Sequence, residues 1–199
     1  MKDSEILEIL NRLKTQSDKR LSELVMDLIN ETQLLKQEAY QDNLTKVYNR
    51  KILSENPQYD VLVMCDLDNF KEINDQHGHK IGDEVLKDVS TELKLMIRSN
   101  DIICRYGGDE FTILFKDCTV ENIVNRLEYL GKKIKEFEEK KGINLTLSFG
   151  LAEKQDDKTI TEVIEDADQA LYESKTTGKN KITVFNTTKQ KKKVKETNN

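Results

Sequence analysis

The sequence contains no tryptophan, one proline, two histidines and three cysteines in 199 residues, and each scarcity excludes something. Cys65, Cys104 and Cys118 lie far apart, form no metal-ligand pairs and sit inside apolar runs, so they are expected as small core residues in a reducing compartment. His77 and His79 have no further histidine or cysteine to complete a metal site and read as structural. No stretch approaches the roughly 18 to 20 apolar residues needed to span a bilayer. The opening residues, Met1 to Glu8, lack the basic-then-apolar order of a secretion signal, so a cytoplasmic chain without membrane association is expected. An excess of positive charge is missing too, with 32 Lys and Arg against 37 Asp and Glu. At a net −5 there is no large basic field for nucleic acid, and the cluster from Lys189 to Lys195 reads as a solvated tail. No Gly-x4-Gly-Lys-Ser/Thr run occurs, which excludes nucleotide binding by a P-loop.

What remains is enough for one well-buried domain and an extension. Residues 5–40 contain no glycine or proline and place Ile6, Leu10, Leu13, Leu21, Leu24, Leu28 and Leu35 at spacings that mix three, four, seven and eight. That pattern predicts a long amphipathic helix over residues 1–40 with a stutter near Ser17, either paired in a coiled coil or folded back onto its own domain. Residues 41–185 read as one domain, and residues 186–199, which lack apolar periodicity, as a disordered basic tail.

Within that domain a short helix is expected near Lys46 to Glu55, ended by Pro57. Val61 to Leu67 reads as a buried central strand, and a helix from about Asp83 to Ile97 turns Val85, Leu86, Val89, Leu93, Met96 and Ile97 inward. Asp101 to Tyr106 and Glu110 to Phe115 read as a hairpin turning at Gly107 and Gly108. Ile123, Val124, Leu127, Leu130, Ile134 and Phe137 mark a further helix, and Leu145, Leu147, Phe149 and Leu151 alternate as in a half-buried strand. A last helix is expected near Ile160 to Lys175 and a last strand near Lys181 to Phe185. This order predicts an α+β fold, a ferredoxin-like antiparallel sheet with helices on one face, extended by an extra helix and a C-terminal strand.

Asp66 and Asp68 end the first strand while Asp109 and Glu110 follow the Gly-Gly turn, so two acidic clusters could meet at one edge of adjacent strands. Four acids there repel one another unless a cation holds them, and such hard oxygen ligands suit magnesium or manganese with substrate phosphates, as in two-metal phosphoryl transfer. The plainer alternative is that aspartates at strand ends cap turns. Asp66 to Asn69 also starts like a calcium-binding EF-hand loop. That reading fails, because Lys71 stands where the turn glycine belongs and His77 where the bidentate glutamate belongs.

The heptad from Arg105 to Phe111, Arg-Tyr-Gly-Gly-Asp-Glu-Phe, resembles the namesake motif of the GGDEF family. Asp42-Asn-Leu-Thr45 with Tyr48-Asn-Arg50 is similar to the family's opening motif, and the stretch Asp66 to Lys71 with Asn74, Asp75, Gly78, His79, Gly82 and Asp83 to its substrate-binding motif. Ala167, Asp168, Ala170, Leu171, Tyr172, Lys175, Gly178, Lys179 and Asn180 resemble its closing segment. The similarity covers about residues 41–185 in order. It implies a diguanylate cyclase, which condenses two GTP molecules into cyclic di-GMP and pyrophosphate on a fold resembling the palm of nucleotide polymerases.

On these residues the resemblance implies that Asp66, the backbone carbonyl of Leu67, Asp109 and Glu110 hold two magnesium or manganese ions. Asp109 or Glu110 would also help deprotonate the attacking 3′-hydroxyl. Gly107 and Gly108 would let the triphosphate approach the backbone. Amides around Asn69, Phe70 and Lys71, at a helix start, would bind phosphate oxygens, with Lys71 and Lys175 adding positive charge. Lys179 stands where many relatives carry arginine, keeping the charge and losing the bidentate fork. Asn74 and Asp83 would accept from the two N–H donors of the guanine edge, with Leu86 against the base. A branch that makes mixed adenine–guanine products replaces the acid at the Asp83 position, which argues against that branch.

Because one chain would hold one GTP and the product joins two, a homodimer is implied, held by the N-terminal helix. Arg98 and Asp101 match the family's Arg-x-x-Asp inhibitory motif, which implies allosteric binding of cyclic di-GMP. The plainer alternative is a surface pair at a helix end. The rival to an active cyclase is a catalytically inactive GGDEF domain acting as a cyclic di-GMP or GTP receptor, although no metal ligand is lost here.

Overall fold

The run from Val61 to Leu67 offers no polar face before Asp66, and a strand so composed needs cover on both sides. In the computed structural model, which describes residues 19–55 and 57–186, this run forms β2 (Val61–Asp68), buried along its whole length. The described residues fall into two compact units divided after Gln41. The first holds α1 (Lys19–Tyr40). In the second, β1 (Tyr48–Asn49) and a 3-10 helix (Arg50–Glu55) precede β2, and α2 (Phe70–His77) and α3 (His79–Met96) follow it. Next come β3 (Ile102–Arg105), β4 (Glu110–Phe115), α4 (Val120–Lys141), β5 (Thr146–Glu153), α5 (Ile160–Thr176) and β6 (Ile182–Val184).

The six strands form one sheet in the order β1-β3-β4-β2-β5-β6. The inner four are mutually antiparallel, as expected, while β1 and β6 join the two edges in parallel. Helices cover both faces, not one. Val61, Val63, Cys65 and Leu67 of β2 pack with Val85, Val89 and Leu93 of α3 and with Ile123, Leu127 and Ile134 of α4. On the other face, Leu62 and Met64 pack with Leu53 of the 3-10 helix and with Val163, Ala167 and Leu171 of α5.

For the same reason β5 is buried from Leu147 to Ala152 and not half-buried: β2 and β6 flank it and α5 closes its second face. Gly150 makes that closeness possible, since a Cβ there would lie 2.1 Å from the Ala167 carbonyl oxygen and 2.2 Å from the Leu171 nitrogen. The expected helix near Lys46 to Glu55 is replaced by β1 and the 3-10 turn. Tyr48 and Asn49 pair with Cys104 and Arg105, and the Asn49 side chain accepts from the Lys51 amide at 3.0 Å, which starts the tighter turn.

Along α1, Leu21, Leu24, Leu28 and Leu35 are 43, 66, 64 and 59% exposed, an apolar stripe at spacings of three, four and seven. Ile6, Leu10, Leu13, the stutter at Ser17, the side chain of Phe137 and the tail from 187 lie outside the described residues. Cys65 and Cys104 are buried free thiols, as expected, whereas Cys118 is only half-buried. Among the described residues no helix is long and apolar enough to cross a membrane.

Candidate active site

Antiparallel pairing sets Asp66 of β2 opposite Glu110 of β4, and the Leu67 amide donates to the Asp109 carbonyl at 3.3 Å. The two acidic clusters therefore meet at one end of the sheet. Burial pushes the Asp66 carboxyl up to about 6; an ion pair with Lys175 from α5 opposes that rise, and repulsion from Asp109 and Glu110 adds to it. Glu110 is also raised, by burial first and then by Asp109 and Asp168, again against Lys175.

Asp68 does not join this group. Its buried carboxylate accepts from Thr146 Oγ1, Ser148 Oγ and the Asn180 amide. Three crowded carboxylates, Asp66, Asp109 and Glu110, the first drawing the Lys175 ammonium, are a donor set that fits a hard divalent cation. Among the described residues no three acidic, histidine or cysteine side chains close into a cage. Magnesium usually keeps several waters and substrate phosphates among its ligands, so an open half-shell suits it.

The Gly-Gly turn is held from below. Arg105 donates through Nε and Nη2 to the Gly108 carbonyl at 3.1 and 2.7 Å, and its Nη1 lies 3.3 Å from Asp42. Burial works against the Asp42 carboxylate, yet hydrogen bonds from Thr45 and the Arg105 charge outweigh it and hold the group below its ordinary value. The two glycines serve different ends. A Cβ on Gly107 would lie 2.5 Å from Glu110 Oε2, so the Glu110 carboxylate itself occupies that space. Gly108 has nothing within 4 Å, which leaves its outer side open to a ligand.

Directly after this same end of β2, Asn69 has φ 60° and begins α2 without capping it by its side chain, which leaves the first amides of the helix free of that partner. The Asn69 side chain instead accepts from Lys179 Nζ. Lys71 is exposed beside it. Asn74 lies on Gly82, where a Cβ would sit 1.9 Å from Asn74 Oδ1, and the neighbouring Asp83 is exposed. Leu86, one turn beyond Asp83 on α3, is 2% exposed and packs in the core.

Arg98 and Asp101 are separated by their surroundings. The Arg98 side chain is exposed, but Asp101 is buried and accepts from the Arg98 amide at 2.8 Å and the Lys116 amide at 3.1 Å, with Arg126 at 3.5 Å. Asp101 is therefore turned inward, not offered to a ligand edge as expected. Sequence reasoning missed Arg126 altogether and gave no role to Arg105, Asp42 or Asp168. Arg126 and Arg105 meet the carboxylates of Asp101 and Asp42 across 25 and 63 positions, and no local spacing signals such contacts.

A family model described as diguanylate cyclase, GGDEF domain, matches residues 39–181. Diguanylate cyclase DgcP of Pseudomonas aeruginosa is 36% identical over 163 residues, covering 75% of this chain and 24% of that protein. The coiled coil and GGDEF domain of DgcB from Caulobacter crescentus, solved in complex with c-di-GMP, superposes with a TM-score of 0.68 at 27% identity, covering 86% of this chain and 98% of that one. Diguanylate cyclase SiaD of Pseudomonas aeruginosa, solved with its activator SiaC, gives 0.72 at 28% identity, covering 91% and 75%. The chain spans between 24% and 42% of the length of the curated relatives it matches.

Proposed function

The chain belongs to the GGDEF family, and we propose that it is a diguanylate cyclase converting two GTP molecules into cyclic di-GMP and two pyrophosphates. The observation that carries this reading is the crowding of Asp66, Asp109 and Glu110 at one sheet end, beside a glycine open to a ligand. Asp66, the Leu67 carbonyl, Asp109 and Glu110 would hold two magnesium or manganese ions, which when bound supply Lewis-acid stabilisation of the phosphates and make the 3′-hydroxyl easier to deprotonate.

The chain's own groups do the rest. The first amides of α2, with Lys71, Lys175 and Lys179, bind the triphosphate, and the open face of Gly108 admits it to the turn. Asn74 and Asp83 orient guanine. Glu110 or Asp109 accepts the proton of the 3′-hydroxyl, whose oxygen attacks the α-phosphorus of the facing GTP as pyrophosphate leaves. The raised Glu110 suits proton acceptance near neutral pH. Free thiols and a GTP substrate fit a cytoplasmic setting. Purified protein given GTP and magnesium should yield cyclic di-GMP by mass analysis; GTP bound but returned unchanged would favour a receptor.

Two facing sites require two chains, and the exposed stripe of α1 is suited to pairing in a coiled coil. Removing residues 1–40 should weaken specific activity most at low protein concentration, where an unlinked pair dissociates. If specific activity were independent of concentration after that deletion, α1 would not be holding the pair.

Product inhibition is proposed through Arg98, whose exposed guanidinium can take a phosphate or a guanine Hoogsteen edge. Asp101 then holds the turn from inside, at the root of the strand that leads to Gly107. Calorimetric titration of cyclic di-GMP should show binding to the wild type that Arg98→Ala abolishes, with inhibition relieved. Equal affinity in the two proteins would reduce Arg98 to an ordinary surface charge.

A further inference from the structure

We propose that Asp68 is a positioning residue that clamps the turn carrying Lys179 against the start of α2, and so fixes the two halves of the triphosphate cradle relative to each other. The inference rests on reading this site as one for GTP. Asp68 is 2% exposed and stands apart from the acids that crowd around Asp66. Its Oδ2 accepts from Thr146 Oγ1 at 2.7 Å and from the Asn180 amide at 3.0 Å, and its Oδ1 from Ser148 Oγ at 2.8 Å. Two of these donors are on β5, the neighbouring strand; the third lies 112 residues away in sequence, in the turn between α5 and β6.

That turn is strained. Gly178, Lys179 and Asn180 have φ of 125°, 60° and 49°, and the latter two are side-chain-bearing residues in the left-handed region. A run of this kind persists only where its surroundings hold it, and a buried carboxylate on the Asn180 amide is such a hold. The adjoining residue of each segment, Asn69 after Asp68 and Lys179 before Asn180, makes a second tie, for Lys179 Nζ donates to Asn69 Oδ1. Asp68 with Asn180 and Asn69 with Lys179 thus form a two-point clamp. One jaw carries the first amides of α2 and the other carries the Lys179 ammonium, groups that must face the same phosphates. The amide tie, on the buried Asp68 carboxylate, is part-buried and the lysine tie exposed. When Lys179 leaves Asn69 for a phosphate, Asp68 keeps the turn in place.

Geometry, not charge, is the requirement. In Asp68→Asn the amide oxygen can take the place of Oδ2 and still accept from Thr146 and Asn180, while Ser148 reverses its hydroxyl to accept from the new NH2. In Asp68→Ala the Asn180 amide loses its acceptor. The test is calorimetric binding of GTP and of GMP, in magnesium buffer, to wild type, Asp68→Asn and Asp68→Ala. Asp68→Ala should bind GTP about tenfold more weakly while GMP affinity stays within about twofold, and Asp68→Asn should keep GTP affinity within about threefold. Adding Lys179→Met to Asp68→Ala should lower GTP affinity little further, because both changes remove one interaction.

Unchanged GTP affinity in Asp68→Ala would overturn the clamp, as would equal loss of GTP and GMP, which means general disruption. Equal damage from asparagine and alanine would overturn it in favour of a charge requirement. Should Asp68→Ala fail to fold by circular dichroism, Asp68→Ser, too short to reach Asn180, is held to the same expectations. A wild type that binds GMP and GTP alike or neither would remove the GTP reading itself, and the clamp with it.

Discussion

Asp66→Ala and Glu110→Ala are each expected to lower kcat/KM for GTP by about 10²- to 10³-fold while leaving the protein folded. The two effects have one cause. In the free protein, burial and mutual repulsion disfavour ionisation of these acids, and Lys175 is the ammonium that tempers it. Removing Asp66 relieves that conflict, and Lys175, which is partly exposed, can turn to water. Thermal stability should therefore hold or rise as activity falls, which separates a working site from a structural one.

The pH dependence follows from the same shift. Asp66 titrates near 6 in the folded protein against an ordinary 3.8, so the folded state binds the extra proton between those values. The stability this proton confers is full below about pH 4 and is lost as pH rises through about 6. Asp66→Asn, neutral throughout, should therefore gain melting temperature over the wild type above pH 6, and the gain should shrink towards pH 4. Manganese binding to nucleotide-free wild type should weaken as pH falls below about 6, since a ligating carboxylate must lose its proton. Wild-type turnover in both alanine variants, or manganese affinity flat from pH 7 to 5, would take the catalytic assignment away from these acids.

How far the sequence reaches can be judged from β2. Its apolar run announces a central strand and its acids announce chemistry, but Asp66 and Asp68 look alike in the chain and diverge in the fold. Their side chains share one sheet face, yet Lys175 meets the first while Thr146, Ser148 and Asn180 meet the second. Those partners come from 78 to 112 residues further on, and no periodicity encodes them. The same limit explains Asp101, which reads as a ligand-facing acid until the amides of Arg98 and Lys116 are placed around it. Leu86 is a milder case: an apolar residue one turn from Asp83 can face a base or the core, and helical spacing alone does not choose. Helices on both faces were legible in principle, since neither face of Val61 to Leu67 is polar before Asp66. The 3-10 turn at Arg50 was not, because it depends on β1 pairing with β3.

GTP should be preferred to ATP by at least about 10²-fold in kcat/KM, and Gly82→Ala should remove most of that preference. Guanine presents two N–H donors where adenine presents none in the same place, so a carboxylate at Asp83 gains a partner from one base and not from the other. Asp83 is exposed in the free protein, so water can solvate it when the base does not. That places the discrimination at the lower end of what a hydrogen-bonding site attains. Asn74 is the more constrained member of the pair. Its Oδ1 lies in the space that a Cβ on Gly82 would take, at 1.9 Å, with the Phe70 ring 3.3 Å from the same point. A methyl group there cannot be absorbed by a small shift, and because Gly82 lies within α3 with Asp83 next to it, the displacement falls on Asn74 and not on the helix backbone. Gly82→Ala should thus raise KM for GTP while leaving kcat at saturation largely intact, and Asp83→Ala should narrow the gap between GTP and ATP without displacing Asn74. Competition between the two nucleotides in one reaction, read as the ratio of products by mass, measures both effects. If ATP is consumed as readily as GTP by the wild type, or if Gly82→Ala keeps the wild-type preference, Asn74 and Asp83 do not read the base.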